Sequence, residues 1–356
     1  MEKKKTELLC IGNALIDIFA NGEEGIDYGL TLPVQHIEMN ELKKILSQLP
    51  RRVMVSGGSA VNVAKIAGHI GTKAAIIGAV GEEENDVLSR MIAYDLFFAE
   101  TKPCLVEKPS PTGMCLMLRT GDKTQIVASP SAALELSADD IEEQDIKEAK
   151  VVVIDGYILD RPGLVQHILT LAEKHKTAAA IDLGSTAIAG KHAAEIAAYT
   201  EKYPLILFMN EEEAEAFYNA LTYDKDLKEH YLVHFLRELR PSKASFACQR
   251  SVKDYYSSSV GNDCAEFPII VVKLRERGAV CYAGGTVYPA GTEAITPLES
   301  TGAGDAFCAA FLTAWVRNKP ISECAALGNK AAGITLNTMG TQTNDKSVKS
   351  LQELLE

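Results

Sequence analysis

The sequence predicts an α/β protein, with a mostly parallel central sheet flanked by helices and a small second sheet set apart from it. Short runs rich in Val, Ile and Ala alternate with helix-length segments along the 356 residues, which is the pattern of βαβ units. Most of these runs are apolar throughout, as strands covered on both faces are. A stretch at 112–128 breaks the rhythm with two β-like runs around the polar tip Arg119-Thr120-Gly121-Asp122-Lys123, the sign of a hairpin.

Taken in order, the core strands are expected at 8–12, 74–79, 151–155, 178–182, 205–209, 269–272 and 279–282. The helices are expected at 59–70, 84–94, 138–149, 163–175, 211–220 and 301–316. Segments 18–27, 51–56 and 104–131 are assigned to a small sheet that can act as a lid. The long polar stretch 219–267 reads as a surface insertion with one helix near 228–239, and the whole chain 1–356 as one domain. Ligands of such sheets bind at the carboxyl ends of the strands.

Composition narrows the function. Lys and Arg total 36 against 48 Asp and Glu, a formal charge of −12, which argues against nucleic acid or an anionic membrane as a partner. The eight cysteines include no Cys-x-x-Cys pair and read as reduced core residues of a cytoplasmic protein. Lys3-Lys4-Lys5 before Leu8-Leu9-Cys10-Ile11 superficially resembles a signal peptide, but Asn13 and Asp17 interrupt the apolar stretch. No uncharged apolar run approaches the roughly 18 residues of a membrane span.

Four constellations carry chemistry. Glu299-Ser300-Thr301-Gly302-Ala303-Gly304-Asp305 leads into a helix with Phe307, Phe311, Leu312 and Trp315 on its apolar face. The free N–H groups of such a helix start form an anion hole for a phosphoryl group, and Asp305 beside it can take a proton from an attacking hydroxyl. Ser56-Gly57-Gly58-Ser59-Ala60-Val61-Asn62 opens another helix; N-capping explains Ser59 but not an Asn three residues further on. Asn13 and Asp17, after the first strand, suit bidentate bonds to vicinal hydroxyls, or simply an Asx turn. Asn210 and Glu213 share a helix face after the strand ending at Met209. They can organise water around Mg²⁺, or simply form an acidic helix start.

The GGxxxN, NxxE and GAGD elements, in this order, resemble the ribokinase-like (PfkB) carbohydrate and nucleoside kinases from about residue 8 to residue 340. The resemblance implies a Rossmann-like domain with a small β lid and ATP-dependent phosphorylation of a primary hydroxyl. It implies Asp305 as base, with Gly302, Ala303 and Gly304 as the anion hole. Asn13, Asp17, Gly57, Gly58, Ser59 and Asn62 would hold the acceptor. Asn210 and Glu213 would serve the Mg²⁺–phosphate region, Glu213 through water, with Lys273, Gly278 and Asn329 on the ATP side.

Departures from the family pattern are informative. Glu299-Ser300 replaces the usual Asp-Thr, which argues against strong dependence on a monovalent cation. Arg275 replaces the first Gly of a Thr-x-Gly-x-x-Gly segment. Asp182-Leu183-Gly184 and the stretch from Gly156 to Pro162 point to the adenosine-kinase-like branch. The expected acceptor is therefore a ribosyl compound, a nucleoside ahead of ribose or another sugar, with Phe19, Met114 or Leu116 flanking a base or merely packing the lid. A non-catalytic sensor on the same fold would be expected to lose Asp305 or its glycines, and both are present. No G-x-G-x-x-G follows the first strand and no P-loop occurs. His230 and His234 lack the Glu of H-E-x-x-H and read as ordinary helix residues. The free edge of a lid sheet leaves monomer and lid-paired dimer both open.

Overall fold

The computed structural model describes residues 4–23, 25–224, 227, 230–238, 268–293, 295–338, 341 and 343–355. Fourteen strands among them form two sheets. In chain order they are β1 (Thr6–Ile11), β2 (Leu15–Asn21), β3 (Val34–His36), β4 (Arg52–Gly57), β5 (Ala74–Gly81), β6 (Lys102–Lys108) and β7 (Thr112–Thr120). They continue as β8 (Lys123–Ser131), β9 (Ala149–Asp155), β10 (Ala178–Asp182), β11 (Leu205–Asn210), β12 (Ile269–Lys273), β13 (Ala279–Ala283) and β14 (Thr286–Ala290).

The central sheet has the order β14-β13-β12-β11-β10-β9-β1-β5-β6. It is parallel from β12 to β6, and β13 and β14 are added antiparallel at one edge. Its residues alternate between two cores: Leu8 and Cys10 join one, Leu9 and Ile11 the other. The first core takes the helices Ser59–His69, Ala303–Val316 and Ile321–Thr335. The second takes Leu164–His175, Ala193–Lys202, Glu211–Tyr223 and Tyr231–Glu238. A sheet covered on both faces explains why its strands read as continuous apolar runs.

The smaller sheet has the order β3-β8-β7-β2-β4. Residues 104–108, expected in it, instead lie in β6, the outer strand of the central sheet, parallel to β5. A half-exposed edge strand lacks the apolar density that marked the others. Period 2 along β7 also corrects the side-chain assignment. Met114 and Leu116 turn into the first core, whereas Met117 joins Phe19 and Val55 on the opposite face.

Other boundaries moved for local reasons. The helix expected at 84–94 is Val87–Phe98, because Asp86 caps it by accepting from the Leu88 N–H at 2.8 Å. The helix expected at 138–149 shrinks to one short turn, Ala138–Asp140, and the helix Glu143–Glu148, and β9 already begins at Ala149. Much of 219–267 lies outside the described residues. Its helix Tyr231–Glu238 is no surface element, since Leu232, Val233, Phe235 and Leu236 are buried and the Phe235 ring lies 4.8 Å from that of Tyr282. Among the described residues no helix is long and apolar enough to cross a membrane, and the described cysteines are free thiols.

Asp86 also ties the two sheets together: its second carboxylate oxygen accepts from the Thr112 N–H, at the start of β7, at 2.6 Å. Asp86→Ala should therefore cost about 1–2 kcal/mol in urea unfolding, as for a lost N-cap, and Asp86→Asn less. Unchanged stability in Asp86→Ala would remove this tie from the fold's energetics.

Candidate active site

The carboxyl ends of the parallel strands bring polar residues into one row. Asp155 ends β9 in register with Asp182 at the end of β10, and Asn210 ends β11 in register with Lys273 at the end of β12. Asn13 follows β1, and Asp17 lies in β2, the first strand of the small sheet. Two helices start above this row. Gly58 and Gly302 occupy their N-cap positions with φ of 91° and 83°, a backbone region that glycine adopts without strain. Neither helix has a side-chain cap, so their first N–H groups stay available to a ligand.

The two helix starts meet at Asp305. Ser59 Oγ donates to Asp305 Oδ1 at 2.7 Å, and Asn62 Nδ2 donates to Oδ2 at 2.8 Å. Ser59 is thus not the cap that its residue type suggests; Gly58 takes that place. Thr341 Oγ1 donates to Asn62 Oδ1 at 2.5 Å, which leaves the Asn62 amide its N–H side for Asp305. Burial and the nearby Asp182 charge push the Asp305 carboxyl above its usual range, against the bonds from Ser59 and Asn62 and the charge of Lys273.

Asp17 sits on the same face of the small sheet as Phe19, Val55, Cys115 and Met117. Burial, then the charge of Asp305, raises it to about 7, with Lys65 and the Gly58 N–H opposing. A Cβ on Gly57 would stand 2.1 Å from the Asp17 carboxyl carbon, so a larger residue there would displace that carboxylate. Asn13 donates its N–H to Asp155 Oδ2 at 3.2 Å, and its side-chain oxygen accepts from Arg161. Arg161 is buried, and its Nε and Nη1 have no hydrogen-bond partner among the described residues. Burial raises Asp155 to about 6 despite the N–H groups of Tyr157 and Asn13.

On the other side, Asn210 and Glu213 close a capping box. The Asn210 N–H and amide each donate to Glu213 at 2.8 Å, and the Glu213 N–H donates back at 2.9 Å. Burial and Asp182 raise Glu213 to about 7. Lys273 donates to both Asp182 oxygens, at 2.8 and 3.1 Å, and its Nζ lies 3.2 Å from where a Cβ on Gly304 would stand. Gly278 and Asn329 converge further along. Asn329 donates to the carbonyls of Ala290 and Gly291 at 3.0 and 3.1 Å, and Gly278 packs on the same turn. Among the described residues no group of three or more His, Cys, Asp or Glu can hold a metal alone.

A family model for the pfkB family carbohydrate kinases matches residues 5–240 and 262–347. The chain belongs to this family. This pfkB-family kinase is a phosphotransferase with ribokinase-like architecture. It is similar to the 5-dehydro-2-deoxygluconokinase of Clostridium beijerinckii, 24% identical over 360 residues covering 96% of this chain and 93% of the relative. The enzyme of the same name from Geobacillus thermodenitrificans is 21% identical, covering 100% and 94%. The adenosine kinase of Sinorhizobium meliloti has a similar structure, with a TM-score of 0.78 at 24% identity over 98% of this chain and 99% of that one. A probable sugar kinase protein from Rhizobium etli CFN 42 gives the same TM-score and identity over 98% and 97%.

Five residues of this kinase's cleft lie outside the candidates named from sequence: Lys65, Asp155, Arg161, Asp182 and Thr341. Only Lys65 left a signal. Ser59, Asn62 and Lys65 recur every third position in a helix otherwise buried and mostly apolar, a polar stripe that a core helix does not need.

The raised Asp17 makes a testable stability statement. A carboxyl that titrates near 7 folded and near 4 unfolded binds more protons in the folded state between those values. Its contribution therefore falls as pH rises through that window. Asp17→Asn should accordingly melt higher than the parent at pH 8, with the gap closing towards pH 5. A variant less stable than the parent at pH 8 would contradict this assignment.

Proposed function

We propose that the protein transfers the γ-phosphoryl group of ATP to the primary hydroxyl of a ribosyl compound, a nucleoside such as adenosine ahead of free ribose. The observation that carries this reading is the pair of bonds from Ser59 and Asn62 to Asp305, made between two uncapped helix starts. An acceptor hydroxyl that displaces one of these donors meets Asp305 as base, and the raised affinity of that carboxyl for a proton favours its removal. Of the expected anion hole, the Ala303 N–H already donates to the Ser300 carbonyl at 3.3 Å, so we assign the N–H groups of Gly302 and Gly304, joined by that of Asp305, to the oxygens of the phosphoryl group in transfer. Asp17 accepts from the acceptor's vicinal hydroxyls. Asn13, its oxygen engaged by Arg161, offers its amide N–H.

ATP, bound with Mg²⁺, supplies the phosphoryl group. We assign Asn210 and, through water, Glu213 to the metal–phosphate side, and Lys273, Gly278 and Asn329 to the nucleotide side. Lys273 already shares its charge with Asp182, so it orients more than it attracts. Oε1 of Glu299 accepts from the N–H groups of Ser300 and Thr301 and from the Thr301 hydroxyl, which turns the carboxylate back on its own loop and supports weak activation by potassium. We read the small sheet as a lid whose edge strand β4 allows either a monomer or a lid-paired dimer, and the cytoplasm as its location.

The choice of nucleoside rests on the Asp17 face of the small sheet. Phe19, Val55 and Met117 form a buried apolar cluster separate from both main cores, on the Asp17 face, and an apolar patch beside that carboxylate suits a planar base. A sugar or sugar-acid acceptor is the second reading, favoured by the names of the relatives and by the unpartnered guanidinium donors of Arg161. Against an anionic acceptor stand the carboxylates of Asp17, Asp155 and Asp305.

An ATP-consumption screen over nucleosides, ribose, hexoses and sugar acids tests the acceptor. Adenosine, inosine or guanosine should give the highest kcat/KM; a sugar acid ranked first would favour the second reading. Asp305→Asn should lower kcat about 10²–10⁴-fold with the acceptor KM little changed, and near-full turnover would remove Asp305 from the mechanism. Exchanging sodium for potassium should alter the rate by less than about threefold, because Oε1 of Glu299 is held by its own turn and Glu299-Ser300 stands where the family carries Asp-Thr.

A further inference from the structure

We propose that Thr341 is a positioning residue for Asp305: it clamps Asn62, so that the acceptor hydroxyl exchanges with Ser59 and leaves its proton on Asp305 Oδ1. The inference rests on the reading that Asp305 is the base. The two donors to that carboxylate are unequal. Ser59, on Oδ1 at 2.7 Å, is half-buried. Asn62, on Oδ2 at 2.8 Å, is 3% exposed. Behind Asn62 stands Thr341, 1% exposed, whose Oγ1 donates to Asn62 Oδ1 at 2.5 Å.

The segment that carries Thr341 is itself anchored. It runs between the helices Ile321–Thr335 and Asp345–Gln352. Two residues on, Thr343 Oγ1 bonds His69 Nε2 at 2.9 Å. Asn62 and His69 lie on one face of the Ser59–His69 helix, about two turns apart. Asn344 then caps the next helix by accepting from the Ser347 N–H at 2.9 Å. A swing of the Asn62 amide would therefore leave the buried Thr341 hydroxyl behind.

Chemistry decides which donor yields. A carboxylate only accepts, so Asn62 must turn its N–H group to Asp305, and its buried oxygen then needs a donor, which Thr341 supplies. Displacing Asn62 would break both bonds of a buried amide; displacing Ser59 breaks one bond of a hydroxyl that can rotate. The Thr341 bond also polarises the amide and strengthens its N–H as a donor. In the transfer, Oδ1 takes the hydroxyl proton. The acceptor oxygen keeps the electron pair of the broken O–H bond and bonds the γ-phosphorus. The bond from that phosphorus to the bridging oxygen breaks, and its pair leaves with ADP. A proton on Oδ1 lets Oδ2 go on accepting from Asn62, whereas a proton on Oδ2 would face the Asn62 N–H group and force the amide out.

Asp305 is also faced by Cys10 of β1, Asp17 of β2, Asp155 of β9, Asp182 of β10, Lys273 of β12 and Cys308 of its own helix. Substitution at Thr341 or Ser59 changes none of these groups, so a moved Asp305 titration reports the altered hydrogen bonds.

The test compares Thr341→Val, Thr341→Ser, Ser59→Ala, Asn62→Ala and the Thr341→Val/Asn62→Ala pair, with ATP and adenosine, or with ribose or a sugar acid where that is turned over better. The acid limb of kcat/KM reports the free enzyme, and that of kcat the complex. Thr341→Val should move both limbs up by about half to one pH unit, because a weakened donor favours the carboxylate less. Ser59→Ala should move the kcat/KM limb up and leave the kcat limb in place, since the bound acceptor has already replaced Ser59. Thr341→Ser should restore the parental limbs, and Thr341→Val should shift nothing further once Asn62 is Ala. Without any acceptor, the melting-temperature gap between a protein and its Asp305→Asn form tracks the Asp305 titration. In the Thr341→Val background that gap should go on widening to a pH about half to one unit higher.

An unmoved titration, or an equal loss at every pH, would make Thr341 merely structural and overturn the inference with Asp305 still the base. A kcat limb moved by Ser59→Ala and not by Thr341→Val would place the exchange at Asn62 and overturn it equally. Near-full turnover in Asp305→Asn would instead remove the base, and the inference with it. If none of these acceptors is turned over, the melting arm alone decides.

Discussion

One carboxylate joins the parts of this protein that sequence order keeps furthest apart. Asp305 stands in the first turn of one helix and takes hydrogen bonds from the first turn of another, 243 and 246 residues away in the chain. Both helices are buried along nearly their whole length, so their axes are fixed by packing and only their starts reach the cleft. Glycine at each N-cap position permits the sharp entry and withholds a side-chain cap. The helix starts consequently bring unpaired N–H groups and their partial positive charge to one place, where an anion in transfer would benefit.

The cleft accepts an electrostatic cost for that arrangement. Asp17, Asp155, Glu213 and Asp305 are all raised by burial, and the charges of Asp182 or Asp305 push in the same direction. Lys65, Arg161 and Lys273 offset part of this, none of them from the open surface. A site tuned only for stability would replace such groups with apolar ones. Carboxyls with raised pKa values clustered in a cleft are what a proton-accepting site requires.

How much of this was legible follows from the range of each interaction. The parallel strands and the helices at 59 and 303 could be read because apolar density and glycine placement are local. Asn62 stood out because capping could not explain it, and its bond to Asp305 accounts for its place. The Asn62–Thr341 contact spans 279 residues, and no local pattern marks Thr341. Arg161 and Asp155 gain their meaning only from sheet order, which sets β9 beside β1. Of the two readings open for Met114 and Leu116, packing holds on parity: a strand alternates its faces, so a shift of one residue exchanges core for cleft. β6 was taken for the small sheet because an edge strand carries half the apolar signal of a central one.

The connections between the two sheets explain why the acceptor residues cluster where they do. The chain leaves the central sheet through Gly12, Asn13 and Ala14 into β2, and returns from β4 through Gly57 and Gly58 into the Ser59–His69 helix. β2 and β4 are neighbours, with Leu15 opposite Gly57, so both crossings lie side by side. The residues at the crossings, Asn13, Gly57, Gly58 and Ser59, are those assigned to the acceptor, and Asp17 sits two residues further along β2. Two further crossings, from β6 to β7 and from β8 towards β9, join the sheets elsewhere, so it is at the β1–β2 and β4–helix crossings that glycine backbone and short polar side chains reach the cleft together.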